Sequence, residues 1–366
     1  MKVLFVITSW DFGGAEMQVL ALAKEMQTLG NEVLIVSLIP ENKDFLKKSK
    51  GIVVENLNMK RGFPDLGALF RLKKILKSFR PDVVHAHMIH AVILARLTHL
   101  LVKIARLVST AHSINEGGRL RELLYRYTDS FSDVNTNVSQ VGTDLYLQKG
   151  IFKHKVNSFF IPNGIALPVL DLSKESKTAL KQELDLKNEF VFLAVGRLEL
   201  AKDYHNLIQA ITILKTKHKD FKVLIAGEGT QRSVIEIAIK NNNLEENALL
   251  LGRRNDIPNL LQLADSFVMS SAWEGLPIAI LEAASYQLPA VVTAVGGCGE
   301  VIENKKNGFI VPPKDAVALA NAMQKMMALS LEDRKQMGLA SLNKVKHTYE
   351  LSKVVQQWLK IYSIEN

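Results

Sequence analysis

Two glutamates, Glu274 and Glu282, are separated by seven residues in the stretch WEGLPIAILEA at 273–283. The residues between them are apolar, small or proline, so a carboxylate there is costly unless a partner compensates its charge. Carboxylates accept hydrogen bonds from vicinal hydroxyls, so the pair suits a ligand with two polyol portions. Two structural alternatives stay open, because Glu274 could be an acid at a helix N-terminus and Glu282 an ion-paired residue on a helix face.

Two basic side chains, Arg197 and Lys202, follow a buried strand in VGRLELAKD at 195–203. Cations at a strand's carboxyl end, with only Glu199 and Asp203 nearby, suit a diphosphate, although as a lone feature they could equally be surface charge. A sugar and a ribose joined by that diphosphate would satisfy both the cations and the paired carboxylates.

Glycines mark two further turns from strand to helix. Gly13 and Gly14 follow the first predicted strand in SWDFGGAE, and Gly227 begins GEGTQRS after a later one. Such turns let backbone N–H groups approach an anion at a helix N-terminus. A Gly-Gly pair could also be a plain tight turn, and it lacks the G-x-G-x-x-G spacing of dinucleotide-binding folds.

The apolar pattern alternates strands and helices in two series, which predicts two Rossmann-like, doubly wound parallel α/β domains facing a cleft. Ligands of such sheets bind beyond the carboxyl ends of the strands. Strands are predicted at 2–9, 32–39, 82–88, 106–112, 190–198, 221–229, 248–252, 266–271 and 290–295. The predicted division is a first domain at 1–165, a linker at 166–188 after a Pro-Asn-Gly turn, a second domain at 189–345, and a C-terminal helix at 346–366 returning to the first domain.

Positive charge is concentrated in the first half of the chain. Residues 1–166 hold 22 Lys and Arg against 14 Asp and Glu, which accounts for +8 of the total +9. The excess peaks in FRLKKILKSFR at 70–80 and LARLTHLLVKIARL at 94–107, both with the pattern of basic amphipathic helices. These favour contact with an anionic membrane surface, with a solvated helix face over a core as the alternative. No nucleic-acid partner is expected, since no aromatic-rich basic platform occurs.

Apolar runs and cysteine usage indicate the compartment. No run of eighteen apolar residues occurs, so no membrane span is expected, and the absence of a secretory signal pattern favours the cytoplasm. Peripheral contact with the inner face of the cell membrane is expected in addition. The single cysteine, Cys298, predicts neither a disulfide framework nor a metal cluster.

Three histidines lie close together in DVVHAHMIH at 82–90. His85 and His87 share one face of a predicted strand, which suggests metal ligation, but no carboxylate or thiolate cluster completes such a site. Strand packing and acceptor-side polarity are favoured, and we expect no metal and no cofactor.

Taken in order, the motifs resemble those of glycosyltransferase family 4, the retaining nucleotide-sugar transferases of GT-B architecture. The matching segments span nearly the whole chain: GGAE, DVVHAHM, STAHS, IPNGI, VGRLELAK, GEG and EGLPIAILE. The E-x7-E pattern alone would recur by chance, whereas seven ordered matches make coincidence improbable.

The resemblance implies a role for each matching residue. Arg197 and Lys202 would bind the donor diphosphate, Glu282 the ribose hydroxyls and Glu274 the transferred sugar. His112 would lie near the transferred sugar and the acceptor. Further expected donor contacts are the segment Gly275, Leu276, Pro277 and Ile278 through its available backbone N–H groups, Arg253 at the base, and Gly13, Gly14 and Gly227 at the phosphates, with His85 and His87 on the acceptor side. The resemblance thus implies that the domain at 1–165 binds the acceptor and the domain at 189–345 the nucleotide sugar.

The expected reaction is hexosyl transfer with retention from a nucleoside-diphosphate sugar, UDP by family habit, to a glycan or lipid-linked saccharide of the cell surface, such as O-antigen or capsule. Two alternatives stay open. One is a nucleotide-sugar epimerase or hydrolase of the same architecture, which needs no acceptor, and the other is a non-catalytic nucleotide-sugar-binding partner subunit.

Overall fold

The computed structural model describes residues 1–60, 65–115 and 117–363, and within them the chain divides into two compact units. The first unit combines residues 1–166 with the described residues from Thr348 onward, and the second is Leu167–His347. The last three residues of the predicted C-terminal helix lie outside the described residues.

Strands and helices alternate along the described residues in both units. The strands are β1 (Lys2–Ile7), β2 (Glu32–Ser37), β3 (Val53–Asn56), β4 (Val83–His87), β5 (Leu107–Ala111), β6 (Val134–Asn137), β7 (Ser158–Phe160), β8 (Phe190–Val195), β9 (Phe221–Ala226), β10 (Ala248–Gly252), β11 (Ser266–Met269), β12 (Ala290–Thr293) and β13 (Gly308–Val311). The helices are α1 (Gly14–Thr28), α2 (Lys43–Lys48), α3 (Gly67–Phe79), α4 (Ile89–His99), α5 (Arg119–Thr128), α6 (Gln140–Gln148), α7 (Lys174–Glu183), α8 (Tyr204–Lys215), α9 (Arg232–Asn241), α10 (Ile257–Leu263), α11 (Ile278–Ser285), α12 (Cys298–Val301), α13 (Ala316–Ala328), α14 (Leu331–Lys344) and α15 (Leu351–Ser363).

The first unit is built on a parallel sheet with the strand order β3-β2-β1-β4-β5-β6-β7. From Val3 to Ile7, β1 is fully buried, as expected for a central strand covered on both faces. Helices α1 and α15 pack on one face, and α3, α4 and α5 on the other. The chain moves from β1 towards β2 and later from β4 towards β5, so the strand order reverses between β1 and β4.

The second unit repeats this plan with a parallel sheet in the order β10-β9-β8-β11-β12-β13. Its strands are largely buried, and α8 and α13 pack side by side over one face. Here the order reverses between β8 and β11. Right-handed crossovers place successive helices on opposite faces on either side of such a reversal, which opens a crevice beyond the strand ends.

The prediction of two doubly wound parallel α/β sheets is confirmed, and each predicted strand is present, most with later starts or earlier ends. The segment predicted as a linker, 166–188, contains α7, and from Leu167 onward it lies in the second unit. Ser173 caps α7 by accepting a hydrogen bond from the Ser176 N–H, and Leu180 is buried. The polar run therefore forms a packed amphipathic helix.

The interpretation of 94–107 as a surface amphipathic helix is wrong. Helix α4 ends at His99, and β5 begins at Leu107. Arg96 is fully buried and donates to Asn135 Oδ1 at 2.5 Å and to the carbonyl oxygen of Tyr125 at 2.9 Å. The Arg96 guanidinium therefore makes hydrogen bonds inside the first unit, and α4 presents no basic face to solvent at this position.

No helix among the described residues is long and apolar enough to cross a membrane.

The C-terminal helix supplies a large part of the first unit's core. Trp358 in α15 is 2% exposed and packs on His85 with a ring-centroid distance of 4.4 Å. Truncation of a buried aromatic leaves a cavity, so Trp358→Ala should lower the free energy of unfolding by about 3–5 kcal/mol. Urea denaturation followed by circular dichroism measures this loss, with the exposed Gln356→Ala in the same helix as the matched control. Equal unfolding midpoints for the two variants would contradict this account of α15.

Candidate active site

The centre of the candidate site is an ion pair at the strand-order reversal of the second unit. Lys202 follows β8 and Glu274 follows β11, and these strands are neighbours in the sheet. Lys202 Nζ lies 2.5 Å from Glu274 Oε1, with 20% and 13% of the two side chains exposed. The sequence placed both residues in one site but did not predict that they pair with each other.

Hydroxyl groups hold the two ends of this pair in place. Ser271 Oγ donates to Glu274 Oε1 at 2.7 Å, and Ser270 Oγ donates to the backbone carbonyl of Lys202 at 2.9 Å. Thr293, at the end of β12, donates to the carbonyl of Ser271 at 2.7 Å. Three adjacent strand ends therefore position the pair before any ligand binds, which is the kind of preorganisation that favours electrostatic catalysis.

Two glycines permit the close backbone contacts around the pair. A Cβ on Gly227, whose φ is +155°, would lie 1.9 Å from the Gly196 carbonyl oxygen, next to Arg197. A Cβ on Gly296, whose φ is +49°, would lie 2.2 Å from the Glu274 carbonyl oxygen. Both positions require glycine for space and for backbone conformation. Gly227 was predicted as a donor-side residue, whereas Gly296 was not.

The remaining predicted residues of the second unit lie on the same strand-end edge or on the helix that follows. Arg197 is exposed at the end of β8, and Arg253 is exposed after β10. The segment Gly275–Ile278 leads into α11, with Pro277 as the residue immediately before the helix. Glu282 is half-buried in α11 among fully buried Ile280, Leu281, Ala283 and Ala284.

Two neighbours respond to the charge of the pair. Burial raises the pKa of the Tyr204 hydroxyl, and the Glu274 carboxylate adds to this shift. Burial also raises the pKa of the Cys298 thiol, again with a contribution from Glu274. Both groups are therefore neutral at pH 7, and Cys298 does not present a nucleophilic thiolate. Tyr204 donates to the Gly196 carbonyl at 3.2 Å and fixes the turn after β8.

In the first unit the predicted glycine loop follows β1. Gly13 precedes α1 in an extended conformation, and Gly14 is the exposed first residue of the helix. A Cβ on Gly13 would lie 2.3 Å from Glu16 Oε2, and Ser9 Oγ donates to Glu16 Oε1 at 2.6 Å. The first turn of α1 thus contains a carboxylate close to the place where the backbone is predicted to contact a phosphate. The phosphate contact of Gly13 and Gly14 stays a prediction.

His85 was predicted on the acceptor side, and the structure places it in the core instead. It is fully buried, with Nδ1 at 2.6 Å from the Tyr362 hydroxyl and Nε2 at 2.6 Å from Thr110 Oγ1. Both ring nitrogens are therefore occupied by the protein, so His85 cannot contact an acceptor directly. The residue joins β4 to α15 and β5.

His87 and His112 form a pair at the carboxyl ends of β4 and β5. His87 Nδ1 lies 2.9 Å from His112 Nε2, and the His87 ring stacks on His85 with centroids 3.9 Å apart. Burial lowers the pKa of His112 to about 4 and, helped by the two neighbouring imidazoles, lowers the pKa of His87 well below its usual value. The pair is thus neutral at pH 7, with one shared N–H between the two rings. His112 is partly exposed at the edge where an acceptor would bind.

Within the described residues, no group of three or more His, Cys, Asp or Glu side chains is placed to hold a metal ion.

Sequence reasoning missed the residues that hold the site together. Ser270, Ser271, Thr293, Tyr204 and Gly296 all act on Lys202, Glu274 or the turns that carry them. One available signal was the Ser-Ser pair directly after a buried apolar strand, since hydroxyls at a strand's carboxyl end commonly face a polar site. Tyr204 carried no such signal, because its pattern is that of an ordinary helix residue.

Two family models together account for most of the chain. Residues 12–167 match the model described as Glycosyltransferase Family 4, and residues 176–343 match Glycosyl transferases group 1. The chain belongs to glycosyltransferase family 4. It is a hexosyltransferase that acts on nucleotide sugars, as its relatives also indicate.

The alignments with curated relatives and solved structures cover most or nearly all of this glycosyltransferase. It is 29% identical to the UDP-Gal:alpha-D-GlcNAc-diphosphoundecaprenol alpha-1,3-galactosyltransferase of Escherichia coli, over 81% of this chain and 79% of that protein. It is 24% identical to the N-acetyl-alpha-D-glucosaminyl L-malate synthase of Bacillus anthracis, over 99% and 97%. The fold is that of Anabaena HepE in complex with UDP-glucose, with a TM-score of 0.86, 22% identity and 99% of each chain covered.

The ion pair yields a direct prediction for Lys202 in this glycosyltransferase. Lys202→Ala removes one preorganised, positively charged hydrogen-bond donor from the site, so kcat should fall by about 100- to 1,000-fold. Steady-state kinetics with a nucleotide-sugar donor measure the change, and Lys217→Ala, an exposed lysine of the same unit, is the matched control. Because the substitution also leaves Glu274 without its cation, urea denaturation of the variant checks that the fall in kcat is not a loss of folded protein. A wild-type kcat for Lys202→Ala would contradict a catalytic role of Lys202.

The neutral histidine pair predicts how stability depends on pH. In the folded protein the pKa of His112 is about 4, against 6.5 for an ordinary histidine. Between these values the unfolded chain binds the additional proton, so the free energy of unfolding should fall as pH drops from 6.5 to 4. The contribution of His112 is at most about 1.4 kcal/mol per pH unit.

Urea denaturation of the wild type and His112→Gln at several pH values isolates this contribution, because other titrating groups are common to both proteins. The wild type should lose stability more steeply below pH 6.5 than the variant. Parallel pH profiles would contradict the lowered pKa and the neutral state of His112.

Proposed function

We propose that this glycosyltransferase transfers a hexosyl unit with retention from a UDP-sugar to a lipid-linked saccharide during cell-surface polysaccharide synthesis. The observation that carries the proposal is the preorganised Lys202–Glu274 pair beside the exposed Arg197. The same site residues argue against a non-catalytic partner subunit, because such a protein has no use for a buttressed charge pair at the strand ends.

The donor diphosphate is proposed to bind the two cations of this edge. Within the described part of the chain, the structure gives the Arg197 guanidinium no carboxylate partner, and Lys202 is held by Glu274 alone among side chains. A diphosphate would bind the Arg197 guanidinium and share Lys202 with Glu274. These two positive charges supply the counter-charge for the leaving group, so the proposal requires no resident cofactor or metal.

The polyol ends of the donor are proposed to contact the two glutamates and the turn between them. Among the described residues, Lys202 and Ser271 both contact Oε1 of Glu274, which leaves the other carboxylate oxygen, Oε2, suited to accept from a sugar hydroxyl. Glu282 would accept from the ribose, and the Gly275–Ile278 backbone would donate to the sugar and its adjacent phosphate. Arg253 would contact the base, and Gly227 would let the backbone approach the phosphates.

The contacts of Glu274 bear on the route to retention, because retention requires either a covalent glycosyl–enzyme intermediate or attack on the face that the leaving group vacates. A carboxylate bound to Lys202 and Ser271 is a weak nucleophile, so a covalent glycosyl–enzyme step through it is disfavoured. We therefore propose that the acceptor oxygen attacks the anomeric carbon on the face that the diphosphate leaves. The bond from that carbon to the phosphate oxygen breaks, the bond to the acceptor oxygen forms, and the acceptor hydroxyl proton passes to the departing phosphate.

A lipid-linked acceptor on the inner face of the membrane is proposed from two observations. The E. coli relative is by its name a transferase with UDP-Gal as donor and a diphosphoundecaprenol-linked sugar as acceptor. In this chain, the first unit carries nearly all of the net positive charge, and α3 exposes Phe70, Lys74 and Lys77 on one side. A cytoplasmic enzyme in peripheral contact with an anionic membrane fits both, with the partly exposed His112 and its partner His87 on the acceptor side.

Donor turnover with and without acceptor tests the proposal. With a UDP-hexose and a polyprenol-diphosphate-linked sugar, NMR of the product should show an anomeric configuration identical to that of the donor. Glu274→Gln preserves shape but removes the charge, so its kcat should fall by about 100-fold or more. An inverted product would refute retention.

The same experiment distinguishes the alternative enzyme class. If donor alone yields an epimer or free UDP as fast as the complete mixture yields product, the protein is an epimerase or hydrolase. A matched screen of GDP- and ADP-hexoses by thermal shift tests the base, because a ligand that binds the folded state raises its melting temperature.

A further inference from the structure

Helix α5 carries an apolar stripe that points into solvent. Its ten residues, RLRELLYRYT, place large apolar side chains at 120, 123, 124 and 127, the spacing of one helix face. Leu120 is 71% exposed, Tyr127 is 70% exposed, and Leu123 and Leu124 are each 43% exposed. Amphipathic helices normally turn this face inward, so the orientation is inverted relative to a core-packing helix.

The opposite side of α5 is fixed to the protein by specific contacts. Tyr125 is fully buried, and the buried Arg96 guanidinium lies over its ring at 4.6 Å. Arg96 also donates to the carbonyl oxygen of Tyr125 at 2.9 Å and to Thr128 Oγ1 at 3.1 Å. These contacts determine which face of α5 is outward, so the apolar stripe is held at the surface by the packing beneath it.

Basic side chains flank the stripe. At about 100° per residue, Arg119 and Arg126 lie to one side of it and Arg121 to the other, and all three are exposed. Glu122, on the inner half of the helix, pairs with Lys149 at 2.9 Å, so its charge does not oppose theirs. Leucine and tyrosine between arginines are the composition of helices that lie in the interface of an anionic bilayer.

The place of α5 in the fold connects this surface with the acceptor side of the site. His112 directly follows β5, and α5 begins at Arg119 after the loop at that same carboxyl edge of the sheet. On the same face of the sheet, α4 packs between α5 and α3, and α3 exposes Lys74 and Lys77. Basic groups of two helices thus belong to one layer of the first unit.

We infer that α5 is a membrane-docking helix, whose stripe of Leu120, Leu123, Leu124 and Tyr127 enters the interface of an anionic lipid bilayer while its arginines contact lipid phosphates. This inference rests on the proposed function for its lipid-linked acceptor. The docked helix would bring the acceptor edge of the first unit to the surface where the acceptor's diphosphate lies.

Vesicle sedimentation of the full chain tests the docking surface. The test variant is Leu120→Ser/Tyr127→Ser, which changes the two most exposed members of the stripe and leaves Tyr125 and Arg96 intact. Its affinity for phosphatidylglycerol-containing vesicles should fall by about 30-fold, because two large apolar side chains no longer enter the interface. The matched control is Val234→Ser/Ile237→Ser in α9, where Val234 and Ile237 are 58% and 59% exposed, and its affinity should be that of the wild type.

A charge variant tests the second part of the inference. Arg119→Gln/Arg126→Gln should weaken binding to phosphatidylglycerol vesicles and leave the small residual binding to pure phosphatidylcholine unchanged, since only the electrostatic attraction is removed. Wild-type affinity of Leu120→Ser/Tyr127→Ser for anionic vesicles would overturn the assignment. A wild-type dimer that this variant converts to a monomer, in the absence of lipid, would overturn it as well, because the stripe would then be a protein interface.

Donor binding separates this inference from the proposed function. The thermal shift produced by UDP-hexose, and transfer to a water-soluble acceptor analogue, should be the same in the stripe variant as in the wild type, because neither requires the bilayer. Loss of vesicle binding with intact transfer in solution supports docking through α5. Absence of sugar transfer by a wild-type protein that binds vesicles would refute the proposed function alone, whereas wild-type vesicle binding by the stripe variant with intact transfer would refute the docking assignment alone.

Discussion

The ion pair between Lys202 and Glu274 is the interaction on which the site of the second unit depends. Its two residues are 72 positions apart in the chain and meet because β8 and β11 are neighbours across the reversal of strand order. A half-buried pair gains little unless its remaining hydrogen-bonding capacity is satisfied. Here Ser271 satisfies part of the carboxylate, while Ser270 and Thr293 hold the backbone of each turn. The charges are therefore in position without a ligand, and an anionic donor needs to displace no structural contact to meet Arg197.

The first unit uses the corresponding strand ends in a different way. At the ends of β4 and β5 the polar side chains are neutral, because burial lowers the pKa values of His87 and His112 below physiological pH. A neutral imidazole pair can accept a hydrogen bond or donate one, but it offers no positive charge to an anion. The strand ends of the second unit carry an ion pair and an exposed arginine, whereas the ends of β4 and β5 carry neutral polar groups.

The sequence was sufficient for the central strands and for the residues at their ends, because a buried parallel strand is a continuous apolar run and its end is where polarity begins. It was insufficient where buried strands are polar. In β6, Asn135, Thr136 and Asn137 are all buried, and their pattern resembles a loop. Asn135 accepts from Arg96, and Thr136 bonds with Thr110. The partners that make such a strand possible come from distant parts of the chain, so no local pattern indicates them.

The same reason explains why the interpretations of Arg96 and His85 in the first unit were wrong. Arg96 has the pattern of a surface cation and His85 that of an acceptor contact, yet each is buried with its polar atoms satisfied by residues from other elements. Both residues lie beneath surfaces for which a function is proposed, since Arg96 supports α5 and His85 lies under the His87–His112 pair. A buried polar group specifies position more strictly than an apolar one, because its hydrogen bonds have direction as well as distance. In this protein, the costly internal polarity therefore lies where outward-facing side chains must be held in a defined orientation.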